Sequence, residues 1–166
     1  MVHGALAAAA GGLEDAELRA VGRGLLLENE RPLDAYGEPH EVDELVAMVN
    51  SVYGSQLWKR ARSAEEILVE VPFSTRVPAL ESSEDPGRAD AKRYVEGVID
   101  LAFREADGWT IADYKTDVGT DPEFPIRQAS CRRQVELYAQ CWTQLTEAPI
   151  KERIILYTAQ LREETW

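Results

Sequence analysis

The chain lacks any apolar run near the roughly 18 residues that a membrane-crossing helix needs, so no membrane partner is expected. Its opening, MVHGALAAAAGG, is small and apolar, has no basic stretch and is too short for a signal peptide, which makes the cytoplasm the expected compartment. Cysteine is nearly absent. Cys131 and Cys141 are too few for a four-cysteine zinc or iron–sulfur centre, and they read as reduced, partly buried thiols on one helix. No G-x-x-x-x-G-K-[ST] loop occurs, which excludes a nucleoside-triphosphate motor within these residues. Basic residues are outnumbered, 18 Lys and Arg against 30 Asp and Glu, for a formal net charge of −12. That balance argues against holding a polyanion by charge alone. There is no internal repeat and no long low-complexity linker.

What is present fits a single soluble domain over residues 1–166, with 45% hydrophobic and 29% charged residues. Residues 1–65 read as a mainly helical N-terminal part, and 66–160 as a sheet-bearing core. A helix is expected over 13–28, with Leu18, Val21 and Leu25 at helical spacing, and a loop over the proline- and glycine-bearing 29–40. A second helix is expected from about 41 to 61, its face marked by Val42, Leu45, Val49 and Val52. Residues 66–73 alternate as a strand, with Ile67, Val69, Val71 and Phe73 on one side and Glu66, Leu68 and Glu70 on the other. The charged stretch 81–92 reads as a mobile hairpin tip or disordered loop. Strands follow over 93–105 and 109–115, joined by a turn at 105–108. After a Pro- and Asp-bearing loop, the strongest helix covers 126–145, with Cys131, Val135, Tyr138, Trp142 and Leu145 in its apolar stripe. A buried strand over 152–159 completes the order helix, helix, three strands, helix, strand. This is an α/β arrangement with the sheet in the middle.

The hairpin YVEGVIDLAFREADGWTIADYKTD carries the chemistry. Alternation puts Val98 and Asp100 on one face of its first strand, with Ile99, Leu101 and Phe103 on the other. On its second strand Asp113 and Lys115 share a face, and antiparallel pairing brings Asp100 and Asp113 to one edge. Two converging carboxylates repel each other, and a hard divalent cation such as magnesium resolves the conflict. Lys115 beside them could orient or deprotonate a nucleophile, or hold transition-state charge. Gly97 leaves room for the close approach of another backbone or of substrate. By itself a D-x-K is also compatible with a surface strand pair, and Tyr138 with plain core.

The longer pattern is more specific: GVIDL at 97–101, IADYKTD at 111–117, QVELY at 134–138, VEVPF at 69–73, and His3 in the opening VHGAL. Together these resemble the RecB-like branch of the PD-(D/E)xK nuclease superfamily, and within it the C-terminal nuclease domain of AddA-type and related UvrD-like helicase–nucleases. The resemblance spans almost the whole chain and implies a restriction-endonuclease-like core, a central mixed β-sheet flanked by helices. It implies that Asp100 and Asp113 ligate Mg2+, which Mn2+ can replace, with His3 and the backbone carbonyl of Tyr114 as further ligands. Lys115 becomes the catalytic lysine. Gln134 and Tyr138 border the site, and Glu70 is a further candidate that is either structural or near the metal through water. Arg127, Arg132 and Arg133 are candidates for phosphate contacts or a solvated helix face.

The expected activity is metal-dependent hydrolysis of DNA phosphodiester bonds, as an exonuclease acting with a helicase in double-strand break repair and recombination. The expected substrate is single-stranded DNA or an unwound end. With only two cysteines, the chain departs from the iron–sulfur branch of the family. Beginning almost on the histidine motif, it is expected to be an excised C-terminal domain or a stand-alone relative, with a helicase motor in cis or in trans. The −12 charge favours delivery of DNA by such a partner, since a handful of metal ligands cannot account for 30 acidic residues. The rival readings are a catalytically inactive nuclease fold that binds DNA or aids assembly, which would be expected to lack the lysine or an aspartate, and an interaction domain unrelated to nucleic acid.

Overall fold

A computed structural model describes residues 1–78, 92–116 and 122–166, so all but the last residue of the turn-rich stretch expected over 81–92, and most of the loop after Lys115, lie outside the described residues. Alanine shapes the first element. The α1 helix, Val2–Ala10, buries Val2, Ala5, Leu6 and Ala9, a face that alanine hides from periodicity because it adds helix propensity without apolar contrast. This helix was missing from the expected element order. The α2 helix, Asp15–Glu28, opens with the Glu14 backbone N–H donating to the Glu17 carboxylate. It buries Leu18, Gly22 and Leu26 rather than 18, 21 and 25. Gly22 lets the Leu45 side chain approach closely.

The single helix expected over 41–61 is two: α3, Val42–Tyr53, and α4, Gln56–Ser63. Gly54 closes the first, and the Ser55 hydroxyl caps the second by accepting from the Trp58 N–H at 3.4 Å. The break re-phases the apolar face. An unbroken helix would carry the Val49–Val52 stripe on to Gln56 and Lys59, whereas the kinked pair buries Leu57, Trp58 and Ala61.

The strands are β1 (Glu66–Pro78), β2 (Lys92–Glu105), β3 (Gly108–Lys115), β4 (Ile150–Tyr157) and β5 (Arg162–Thr165). They form one sheet in the order β1-β2-β3-β4-β5. All neighbours are antiparallel except β3 and β4, which run parallel because α5, Phe124–Thr146, crosses between them. The β5 strand was also absent from the expected order, since its Arg-Glu-Glu-Thr carries no apolar pattern and only backbone pairing makes it a strand.

Helices α1–α4 cover one face of the sheet, against Leu101, Phe103, Ala112, Tyr114, Ile154 and Leu156. Helix α5 covers the other, against Phe73, Ile99, Ile111, Ile155 and Tyr157. This is the expected α/β arrangement, a central mixed sheet between helices. Leu145, placed in the apolar stripe of α5, is 46% exposed, because the buried side is carried by Val135, Ala139, Cys141 and Trp142. No described helix is long and apolar enough to cross a membrane.

The alternation expected along β1 and β2 breaks at two of the candidate site residues, Glu70 and Asp100. Val69 packs with α1–α4, but Val71 and Phe73 pack with α5, and Ile67 is exposed, so the expected single apolar face is divided. Between them Glu70 has φ 50, the left-handed region that a non-glycine residue occupies at a cost of about 1–3 kcal/mol. On β2 the same division separates Ile99 from Leu101 and Phe103, across Asp100. The pairs Val69↔Leu101 and Val71↔Ile99 set Glu70 opposite Asp100.

Candidate active site

The ladder between β2 and β3 runs from Glu105↔Gly108 to Leu101↔Ala112 and stops there, one pair short of Asp100 and Asp113. The strands part, and the backbone N–H of Tyr114 loses a strand partner. Asp100 takes its place: Oδ2 accepts from the Tyr114 N–H at 2.7 Å. The first turn of α1 brings His3 to the same point. Its Nε2 lies 3.3 Å from Asp100 Oδ2 and 3.0 Å from the Tyr114 carbonyl oxygen. The buried side chains of Val2, Ala5 and Leu6 anchor this turn against the core. An imidazole nitrogen, a carboxylate and a backbone carbonyl, drawn from a helix and two strands, thus share one point.

Asp113 and Lys115 lie side by side as alternation requires. Lys115 Nζ is 2.7 Å from Asp113 Oδ2, close enough for an ion pair but not aligned as a hydrogen bond. Asp113 is only 7% exposed. Burial pushes its carboxyl upward, against Lys115, and Asp100 adds to the rise. Burial pulls the Lys115 ammonium down, but the adjacent Asp113 outweighs it and the net direction is up. The Lys115 carbonyl is fixed from the far side by the Thr158 N–H at 2.8 Å.

Glu70 faces the same cluster. Burial, reinforced by the Asp100 charge, pushes its carboxyl up, while His3 opposes this. The Asp100 hydrogen bond holds the His3 imidazolium above its ordinary range. Glu70 Oε1 and Asp113 Oδ2 are both buried without a hydrogen-bond partner. The unpartnered Glu70 oxygen and the Lys115-paired Asp113 carboxylate, beside a third carboxylate, an imidazole and a carbonyl, are donors of the kind that a hard divalent cation takes. Among the described residues, no three His, Cys, Asp and Glu side chains are already gathered as a metal cage. His3, Asp100 and the Tyr114 carbonyl are together, while the Asp113 carboxylate is engaged with Lys115.

Gln134 and Tyr138 meet each other: Gln134 Nε2 donates to the Tyr138 hydroxyl at 3.1 Å. The Tyr138 ring stands edge-on to Phe73, centroids 4.9 Å apart, and lies over Gly97. A Cβ on Gly97 would sit 2.6 Å from the Tyr138 hydroxyl oxygen. The room expected beside Gly97 is therefore filled by a phenol, and residues of three separate motifs form one contact. Sequence reasoning missed this contact. Its signal was the glycine three residues before Asp100 and the Phe73 paired with it across β1 and β2.

The three arginines differ. Arg132 pairs with Glu164 and covers the Trp166 ring. Arg127 Nη1 is 3.9 Å from Glu123 Oε2. Arg133 is exposed and has no ion-pair partner among the described residues.

Comparison with known proteins adds to this geometry. The profile of the PD-(D/E)XK nuclease superfamily matches residues 1–164. The chain is 31% identical to the A subunit of the ATP-dependent helicase/nuclease of Bacillus velezensis over 140 residues, which is 80% of this chain and 11% of that protein. It is 32% identical to the protein of the same description from Bacillus cereus over 120 residues, 68% of this chain and 10% of that protein. The chain thus spans about a tenth of the length of these relatives.

Proposed function

Because the chain belongs to the PD-(D/E)XK nuclease superfamily, we propose that it is the nuclease module of a helicase–nuclease, hydrolysing DNA phosphodiester bonds at single-stranded or unwound ends. The observation that carries this reading is the meeting of His3 Nε2, Asp100 Oδ2 and the Tyr114 carbonyl, with the Asp113–Lys115 pair beside it. Nucleases of this superfamily generally use divalent metal ions. In this reading the ion is magnesium, replaceable by manganese, held by Asp100, Asp113, His3 and the Tyr114 carbonyl, with Glu70 as an additional oxygen donor. When bound, it supplies a water of lowered pKa and charge compensation at the scissile phosphate.

The chain's own groups do the rest. Asp113 keeps Lys115 protonated and aimed, so that the ammonium can hydrogen-bond the attacking oxygen or the phosphate as negative charge builds. Burial of Asp113 and the Tyr114 backbone makes that interaction stronger than it would be in water. Gln134 and Tyr138 fix the wall of α5 next to this pair. Residues 1–166 act as one nuclease module of cytoplasmic origin, with exonuclease action serving break repair and recombination. A helicase motor, in cis or in trans, delivers the strand, an arrangement that the formal charge of −12 favours.

The test is cleavage of an oligonucleotide labelled at either end, with a circular substrate in parallel, in magnesium, in manganese and in chelator. Asp113→Ala and Lys115→Ala each lower the rate by at least about 10²-fold while far-UV circular dichroism and the unfolding midpoint hold. Full activity in either variant sinks the assignment. An inert parent chain in both metals would favour the alternative, a nuclease fold that binds or assembles without cutting.

A further inference from the structure

Between β2 and α5 lies a cavity of about 660 Å³ that the hydrolytic groups do not use. Its apolar lining comes from Val95 on β2 and from Leu137 and Tyr138 on α5, all half-buried. Its polar lining includes the amides of Gln134 and Gln140 and the guanidinium of Arg133. Gln140 and Arg133 make no hydrogen bond or ion pair with other described residues. Glu136, also at its edge, is neutralised by Arg153 at 2.9 Å. Its remaining charges, Arg133 and Glu96, balance in a chain that is otherwise strongly acidic.

The cavity lies near the candidate site: Tyr138, which lines it, sits over Gly97, three residues before Asp100 on β2 and so about 10 Å from it along the strand. Gln134 and Tyr138, hydrogen-bonded to each other, both belong to the cavity wall.

We propose that this cavity receives one unpaired base of the DNA strand, adjacent to the phosphate being cut, an inference that rests on the nuclease reading above. Val95 and Leu137 offer an apolar surface to the ring. The two amides, each both donor and acceptor, can meet the edge of any base without selecting one. Arg133 stands where a neighbouring phosphate is not repelled. A base held in a duplex cannot enter, because its edge is occupied and its faces are stacked. Single-strand dependence thus follows from the shape of the wall between β2 and α5.

The experiment uses the full chain and end-labelled oligonucleotides in which a single abasic position is walked along the strand. The expected result is about a tenfold fall in kcat/KM when the missing base lies at one register from the cut, with no effect elsewhere. Leu137→Glu raises KM on the intact strand by about tenfold and erases the register effect. Gln140→Glu, at an exposed position that folding tolerates, does so more weakly. Fully paired blunt ends are cut at least tenfold more slowly than single strands. Cleavage by the parent chain that is indifferent to the abasic position overturns this inference and leaves the nuclease reading standing. So does an unchanged KM in both variants, or equal cutting of blunt duplex. Failure of the parent chain to cut any intact strand overturns both.

Discussion

Replacing Gly97 by alanine tests whether Tyr138 is held where the structure places it. Gly97 is not among the glycines with positive φ, so its backbone would accept alanine without strain. In an open strand the change would stabilise by about 0.4–1 kcal/mol, through the entropy of the unfolded chain. Here the added Cβ would lie 2.6 Å from the Tyr138 hydroxyl oxygen and 2.7 Å from Cζ, well inside van der Waals contact. The ring must move, and Phe73 stands edge-on beside it at 4.9 Å. Overpacking of this kind costs about 1–3 kcal/mol. Losing the Gln134 bond adds about 1 kcal/mol. Urea unfolding of Gly97→Ala is therefore expected to show a loss of about 2–3 kcal/mol. In a Tyr138→Ala background the same change should be neutral or stabilising by about 0.5 kcal/mol, because only the entropic effect remains. The coupling between the two sites is then about 2 kcal/mol or more. A coupling below about 0.5 kcal/mol would refute the reasoning, as would a stabilised Gly97→Ala single variant.

Two further outcomes follow from other parts of the molecule. Arg60 and Lys151 hold the Glu105 carboxyl down from 4.5 to about 2. A carboxyl depressed in the folded state contributes stability above its unfolded value and loses it as pH falls between about 4.5 and 2. The full shift would be about 3 kcal/mol, and partial exposure of the pair reduces it to about 1–2 kcal/mol. Glu105→Gln should flatten the acid limb of thermal unfolding across that window, and an unchanged acid limb contradicts the argument. Arg133→Ala should weaken oligonucleotide binding and reduce the slope of log affinity against log salt by about 1, at constant stability. Arg132→Ala should lower stability instead, since it loses Glu164 and the Trp166 ring. Anisotropy titrations at several salt concentrations, set beside unfolding midpoints, separate the two, and a reversed assignment would be fatal to it.

Much of the architecture was legible in local pattern. The α3 face, the turn before Gly108 and the long helix α5 follow from spacing and punctuation, because each is settled by neighbours within a few residues. Elements whose order comes from partners were not legible. The α1 helix is nearly all alanine and glycine after His3, and β5 is a polar edge strand that exists through pairing with β4. The break at Gly54–Ser55 could have been found by asking which continuation of α3 buries Trp58 rather than Lys59.

The sequence by itself determined the candidate site: Asp100, Asp113 and Lys115 at strand spacing, with His3, Glu70, Gln134 and Tyr138 in separate motifs. It could not determine how they face one another. Strict alternation would have kept Val69 with Phe73 and Ile99 with Leu101. The tertiary structure divides both pairs, because Glu70 takes a left-handed backbone and the β2–β3 ladder ends at Leu101↔Ala112. Only the packing of α1–α4 on one face and α5 on the other decides where that interruption falls. Each strand must bury apolar side chains on both faces, and the carboxylates occupy the point where the change of face opens the sheet.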